Sequence, residues 1–250
     1  MIYFIGAGPG DPELITVKGM KLIKSCKVII YAGSLVNPEV IKYAKKDAVI
    51  YDSSGMDLEA IINVIKKAHE EGLDVARIHT GDPSIYGAIR EQMERLKNLG
   101  IPYEVVPGVS SFTAAAAVLK RELTVPEISQ TVIITRAAGK TPVPERENIK
   151  SLAQHRATMA VFLSVDKIEK IAADLKESYG EDTPAAVVYK ATWEDQEVIT
   201  APLADIAKKV RERKISKTAV ILVGDFLGDR FEFSKLYDST FTHGFRAGGV

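Results

Sequence analysis

Short apolar runs alternate with amphipathic segments along the first half of the chain. The apolar runs are rich in β-branched residues and end at turn residues, which predicts strands at Tyr3–Ile5, Val28–Tyr31, Val49–Tyr51, Val75–His79 and Glu104–Val106. Between them, apolar residues recur at helical spacing, which predicts helices at Thr16–Lys24, Pro38–Lys45, Leu58–Glu71, Tyr86–Leu99 and Ser110–Leu119. This alternation indicates a mainly parallel sheet covered by helices on both faces.

The pattern breaks around Lys120–Gln130 and then restarts. The second half predicts strands at Thr131–Thr135, Met159–Leu163, Ala185–Tyr189, Glu197–Thr200 and Ala219–Val223, and helices at Ile168–Glu177 and Leu203–Arg213. No helix separates the third and fourth of these strands, so part of this sheet is expected to be antiparallel. We therefore expect an α/β protein of two domains, 1–120 and 121–240, and a tail at 241–250 whose last residues are mobile.

Two turns rich in glycine and proline each follow a predicted strand, at Gly6–Pro12 and Gly81–Gly87. Ligands of open α/β sheets bind outside the carboxyl ends of the strands, where such turns lie. The two turns together predict a ligand site built largely from backbone. The alternative for each turn is a tight connection that binds nothing.

The first turn departs from the dinucleotide-binding fingerprint. Asp11 stands where the third glycine is required, and Pro9 removes an amide donor from any phosphate cradle. The second predicted strand ends near Tyr31 without the acidic residue that would bind a ribose. These departures disfavour a Rossmann oxidoreductase, which remains an alternative.

Charge and composition narrow the class of protein. The 33 basic residues balance the 33 acidic residues, so no global field selects nucleic acid or an anionic membrane as partner. Cys26 is the single cysteine, which excludes an internal disulfide framework, and the four histidines lack metal-ligand spacing. With no signal-peptide pattern and no apolar run of membrane-spanning length, we expect a cytoplasmic protein that binds neither metal nor membrane.

Three motifs, in this order and spacing, resemble those of the tetrapyrrole methyltransferase family, and the resemblance covers Met1 to Asp238. They are Ile5–Asp11 with its continuation Leu14–Gly19, then Gly81–Gly87, then Val105–Ser111. Three further segments are similar to the subgroup that methylates carbon 11 of precorrin-4 or of its cobalt complex in cobalamin synthesis. These segments are Tyr31–Pro38, Thr135–Pro142 and Phe241–Arg246.

The resemblance implies S-adenosylmethionine as the methyl donor, S-adenosylhomocysteine as product, a ligand cleft between the two domains and a homodimer. The donor-binding residues that it implies are Pro9, Gly81, Asp82, Ser84, Ile85, Tyr86, Ser110, Ser111, Phe112, Phe162, Leu163, Tyr189, Lys190, Ala191, Thr218, Ala219 and Val220. Some of these positions have structural alternatives. Asp82 could cap the following turn or helix. Phe162, Leu163, Ala219 and Val220 would be buried in any fold of this class.

The resemblance implies a tetrapyrrole as the methyl acceptor. A tetrapyrrole of this kind carries several carboxylates, so basic side chains are expected in its binding site. Arg136 and Lys140, in the loop after the first strand of the second half, are the candidates, because arginine pairs bidentately with a carboxylate. The alternative is a solvated loop with ordinary surface charges. Asp11 and Glu91 are the candidate catalytic proton acceptors. His79, at the end of a strand, is expected to be a hydrogen-bonded core residue.

Other readings stay open at this point. Another member of the family could methylate C1 and C7, C17 or C20 of a tetrapyrrole, and a silent module could bind tetrapyrrole or nucleotide without turnover. Ala88 occupies a position where uroporphyrinogen methyltransferases are characterised by the motif Gly-Arg-Gly. This difference disfavours uroporphyrinogen as substrate. The sequence does not distinguish a cobalt-containing acceptor from a metal-free one.

Overall fold

The computed structural model describes residues 1–230 and 233–247 of the 250-residue chain. It divides into two compact units, Met1–Ala114 with Lys190–Asp195, and Ala115–Tyr189 with Gln196–Val250. The first unit therefore includes a six-residue segment from late in the sequence. The domain boundary at residue 120 stays a prediction, and part of the predicted mobile tail, residues 248–250, lies outside the described residues.

The first unit is built on a five-stranded sheet. The strands are β1 (Ile2–Gly6), β2 (Val28–Tyr31), β3 (Val49–Asp52), β4 (Val75–His79) and β5 (Tyr103–Val106). All of them are parallel, in the order β3-β2-β4-β1-β5. The helices are α1 (Val17–Ser25), α2 (Pro38–Ile41), α3 (Leu58–Glu70), α4 (Ile89–Asn98) and α5 (Ser111–Leu119), the last of which begins in this unit.

Both faces of the three central strands, β2, β4 and β1, are buried, as the alternating pattern predicts. Phe4 and its neighbours on one face pack with Ile65 of α3 and Leu96 of α4. On the other face, Ile5 packs with Ile23 of α1. Burial on both faces explains why these strands are almost continuously apolar.

Two predicted helices of the first unit are several residues shorter in the structure, and in the second unit the helix expected at Leu203–Arg213 spans only Ile206–Glu212. The helix expected at Tyr86–Leu99 begins only at Ile89, because Tyr86 and Ala88 have φ values of 55° and 49°, in the left-handed region that a right-handed helix excludes. A Cβ on Gly87 would lie 2.1 Å from Pro83 O, which shows how tightly this turn is folded. The helix expected at Pro38–Lys45 ends at Ile41.

The second unit contains a mixed sheet. Its strands are β6 (Val132–Arg136), β7 (Thr158–Phe162), β8 (Pro184–Tyr189), β9 (Glu197–Pro202) and β10 (Ala219–Val223), in the order β6-β7-β10-β8-β9. β6 and β7 are parallel, and the other pairs are antiparallel. The predicted fold class, a parallel first sheet and a mixed second one, is therefore confirmed.

Three helices cover one face of this second sheet. They are α6 (Ile149–Ala153), α7 (Ile168–Tyr179) and α8 (Ile206–Glu212). Leu175 of α7 and Ile206 of α8 pack with Val161, Val187 and Ile221 of the sheet. The five-residue α6 was not predicted, because one turn and a half is too short to show helical periodicity. Among the described residues, no helix is both long enough and apolar enough to cross a membrane.

Candidate functional site

The glycine-rich turns of the first unit meet at the carboxyl edge of its sheet. β1 lies between β4 and β5, so the loops that follow these three strands are neighbours. Ala7 N donates a hydrogen bond to His79 O at 2.8 Å, and Gly81 N donates to Gly8 O at 2.8 Å. The first and second motifs are thus joined directly through their backbones.

The third motif joins them through close backbone contact. A Cβ on Gly6 would lie 2.6 Å from both Gly108 Cα and Gly81 O, and a Cβ on Gly108 would lie 2.2 Å from Gly81 O. Gly81 itself has a φ of 61°. Glycine is needed at Gly6 and Gly108 because backbone packs against backbone there.

Asp82 links the second motif to the third. Its Oδ1 accepts a hydrogen bond from Ser84 N at 2.8 Å, and its Oδ2 accepts one from Gly108 N at 2.9 Å. Partial burial acts to raise the pKa of the Asp82 carboxyl, but these hydrogen bonds outweigh burial and hold that pKa below its usual value. Since α4 begins only at Ile89, Asp82 caps the turn and not the helix.

Trp193 and Thr192, from the late segment of the first unit, hold the first glycine-rich loop. Trp193 Nε1 donates to Pro9 O at 2.9 Å, and Asp11 N donates to Thr192 Oγ1 at 2.9 Å. A Cβ on Gly10 would lie 2.1 Å from Cδ1 of the Trp193 ring. Sequence reasoning missed this contact, and the only signal for it is that the chain's single tryptophan follows the predicted donor residues Lys190 and Ala191.

The two candidate proton acceptors lie on different elements. Asp11 Oδ1 accepts from Glu13 N at 2.8 Å and so caps the short turn that follows the first loop. Glu91 is exposed on the first turn of α4, where it lines a cavity of about 620 Å³ together with Leu58 and Arg95. No hydrogen bond between described residues joins the two carboxylates, and their roles stay predictions.

His79 lies in the core, but one of its ring nitrogens lacks the expected hydrogen bond. It is only 5% exposed, and its Nε2 has no hydrogen-bond partner among the described atoms, so the expectation of a hydrogen-bonded histidine is wrong at that atom. Burial, assisted by the nearby charge of Arg77, lowers the pKa of His79 to about 3. The imidazole is therefore neutral at physiological pH.

The predicted residues of the second unit share one edge of its sheet. Tyr189 pairs with Ala219, and Phe162 pairs with Arg136. Because β10 runs antiparallel to β7 and β8, its first residue lies at the edge where those two strands end. The structure thus brings together Arg136, Phe162, Leu163, Tyr189, Thr218, Ala219 and Val220.

Unusual backbone conformations mark this edge. Leu163, directly after β7, is 64% exposed, so the expectation that it is buried is wrong; its φ of 54° ends the strand there. Thr218, directly before β10, has a φ of 56°. A left-handed conformation is rare for a β-branched residue such as threonine, and such residues are concentrated at binding sites. Lys190 has a φ of 45°, but it belongs with Ala191 to the first unit.

The comparisons with known proteins agree with the three motifs. A family model described as Tetrapyrrole (Corrin/Porphyrin) Methylases matches residues 1–207, a range that contains all three. The chain belongs to this family, which confirms the resemblance. Within residues 1–230 and 233–247, no group of three or more histidine, cysteine, aspartate or glutamate side chains could hold a metal ion.

Two named relatives are similar over nearly the whole chain. The cobalt-precorrin-4 C(11)-methyltransferase of Methanocaldococcus jannaschii is 55% identical over 98% of this chain and 95% of its own length. The precorrin-4 C(11)-methyltransferase of Pseudomonas aeruginosa is 50% identical over 99% of both chains.

Two solved structures have the same fold. A cobalt precorrin-4 methyltransferase superposes with a TM-score of 0.88 at 47% identity, covering 90% of this chain and 95% of the other. The uroporphyrin-III C-methyl transferase of Thermus thermophilus, complexed with S-adenyl homocysteine, superposes with a TM-score of 0.75 at 26% identity, covering 91% and 93%.

Proposed function

We propose that the chain is an S-adenosylmethionine-dependent methyltransferase that methylates C11 of precorrin-4 or cobalt-precorrin-4 in cobalamin biosynthesis. The observation that carries this proposal is the similarity, over nearly the whole chain, to two proteins named for that reaction. The meeting of the three motif loops at one sheet edge supports it, since that edge is where α/β folds bind ligands.

The donor-binding residues implied by the family resemblance are proposed to hold S-adenosylmethionine. The first unit contributes the glycine-rich loops that contain Pro9 and Gly81, whose conformations are fixed by bonds to Trp193 and Gly8. The second unit contributes small and apolar residues at strand ends, such as Ala219 and Val220, which suit an uncharged adenine. The bound donor supplies a methyl group that is already activated on a sulfonium.

The residues of the chain are proposed to act mainly by positioning. Holding two reactants in line accounts for much of the barrier reduction in a transfer of this kind, provided that water is excluded. Asp11 is the better proposed proton acceptor, since it lies in the loop that contains Pro9, whereas Glu91 lies on α4, outside the three motif loops. Arg136 and Lys140 are proposed to bind acceptor carboxylates. Nε of Arg136 donates no hydrogen bond within the described residues, so it can donate one to a carboxylate of the tetrapyrrole.

Donor binding can be followed through the single tryptophan. Because Trp193 Nε1 bonds to Pro9 O, S-adenosylhomocysteine should change the intrinsic fluorescence and bind at micromolar concentration in calorimetry, whereas NAD should do neither. Incubation with S-adenosylmethionine and either precorrin-4 or cobalt-precorrin-4 should then yield a product methylated at C11. Binding of NAD, or a product methylated at another carbon, would contradict the proposal.

Three further properties are proposed. The family resemblance implies a homodimer, whereas the composition and pattern of the sequence support a cytoplasmic location and the absence of nucleic-acid and membrane partners. The balance of 33 basic and 33 acidic residues supports the last of these. Sedimentation analysis of the purified protein tests the dimer, and assay of both acceptors in parallel decides whether cobalt is required.

A further inference from the structure

Two cations fix the loop at residues 137–142 of the second unit. Arg136, at the end of β6, donates from Nη1 to Thr141 O at 3.2 Å and from Nη2 to Pro142 O at 2.7 Å. Lys167, in the short turn after β7, donates from Nζ to Ala138 O at 2.7 Å. The backbone of this loop therefore faces two positive charges from neighbouring parallel strands.

The position of the Lys167 ammonium depends on a glycine. A Cβ on Gly139 would lie 2.6 Å from Lys167 Nζ, so any larger residue would displace the ammonium. The start of the loop is also tied down, because Ala137 N donates to Ser164 Oγ at 2.9 Å. The loop is thus folded so that the lysine ammonium lies directly over its glycine.

This group of cations lacks negative partners. Among the described residues, no carboxylate oxygen lies within 4.0 Å of a side-chain nitrogen of Arg136, Lys140 or Lys167. By contrast, Lys170, one helical turn further on, pairs with Asp174 at 2.6 Å. Arg136 and Lys167 therefore bring two positive charges to one short loop that supplies no carboxylate to either of them, which suits an anionic ligand.

We propose that Lys167 is an acceptor-binding residue, whose ammonium binds a carboxylate of the tetrapyrrole beside Arg136 and Lys140. This inference rests on the proposed function and adds to it a residue that the sequence motifs do not contain. An ammonium has three donors, and the bond to Ala138 O uses one of them. The remaining two can bind a ligand without releasing the loop.

The substitution Lys167→Gln removes the charge and keeps a side-chain N–H donor, one bond closer to the backbone than Lys167 Nζ. The salt dependence of KM then reports the lost charge, and kcat reports any disturbance of the loop. We expect KM for the corrin acceptor to rise about tenfold, the size expected for one charge-assisted hydrogen bond, and to depend less on salt. The kcat and the affinity for S-adenosylhomocysteine should stay at wild-type values. Lys170→Gln is the matched control and should leave KM unchanged.

Gly139→Ala provides a second, independent test. The added methyl group should displace Lys167 Nζ and reproduce the rise in KM, so Gly139→Ala should add little in the Lys167→Gln background. A KM that is unchanged in Lys167→Gln, or changes that add fully in the double variant, would overturn the inference. A wild-type protein that binds donor but turns over neither acceptor would contradict the proposed function and this inference with it.

Discussion

His79 is a titratable side chain that folding places where its charged form is unfavourable. The ring lies beneath the loops of the candidate site, 6.0 Å from the Phe4 ring, and its Nε2 has no hydrogen-bond partner among the described atoms. An unfolded histidine has a pKa near 6.5, and burial lowers that of His79 to about 3. The unfolded chain therefore binds a proton more readily than the folded one.

This difference predicts a loss of stability on acidification. Between pH 6.5 and about 3 the unfolded state binds more protons at this site, so stability rises with pH across that window and falls as pH is lowered. Replacing His79 with phenylalanine, which can pack against Phe4, removes the titration. Denaturant unfolding at pH 7 and pH 5 should show a smaller loss in the variant, with a difference of about 1 kcal/mol per pH unit.

The exposed His69 supplies the control for this experiment. His69→Phe replaces a solvent-exposed imidazole on α3 and should leave the pH dependence of unfolding at its wild-type value. If His79→Phe and wild type lose the same stability between pH 7 and pH 5, then His79 is not held neutral in the folded protein.

The sequence pattern did not predict that the segment 190–195 belongs to the first unit. The periodicity of strands and helices predicted both sheets, and the spacing of glycines located the loops at the carboxyl edge of the first. Neither this periodicity nor the glycine spacing predicts which distant residue packs beside Gly10, because that contact joins positions more than 180 residues apart. The ring of Trp193 occupies that space.

The periodicity of apolar residues also did not predict the backbone turns within the motifs. Apolar spacing continues from Tyr86 into α4, and so it predicts a longer helix than the structure has. The conformation is instead set by hydrogen bonds from backbone amides to the Asp82 carboxylate, one from Ser84 in the same turn and one from Gly108 in the third motif. Which ligand the loops bind followed from the family resemblance and not from these contacts.

The contact between Gly10 and Trp193 predicts a strong coupling between the two positions. Gly10→Ala places a methyl group 2.1 Å from the indole and should destabilise the protein by about 1–3 kcal/mol through overpacking. In a Trp193→Ala background the same substitution should cost less, because the indole is gone and only the contact with Ala191 O, at 2.9 Å, remains. Chemical denaturation of the four proteins in this cycle measures the coupling.

We expect Gly10→Ala to destabilise the protein more when Trp193 is present than when it is replaced. Gly55 has no atom within 4 Å of the position of an added Cβ, so Gly55→Ala controls for the general effect of replacing a glycine. Costs of Gly10→Ala that are equal with and without Trp193 would show that the indole does not pack on this loop.

At the scale of the whole molecule, the first unit is not a continuous stretch of sequence. The strand pattern places its boundary near residue 120, but its first loop bonds to Thr192 and Trp193, which the chain reaches only after β8. A fragment of residues 1–120 retains all five strands of the sheet and lacks these two partners. The amide of Asp11 and the carbonyl of Pro9 would then be left to water.

Hydrogen exchange can therefore test how the late segment supports the loop. In the 1–120 fragment the Asp11 amide should lose most of the protection that it has in the full chain, because its acceptor, Thr192 Oγ1, is missing. The amides of Ala7 and Gly81 bond within the fragment, to His79 O and Gly8 O, and should stay protected if the sheet forms. Loss of protection at all three amides would mean that the sheet itself needs the rest of the chain. Equal protection of Asp11 in fragment and full chain would mean that the loop holds its conformation without residues 190–195.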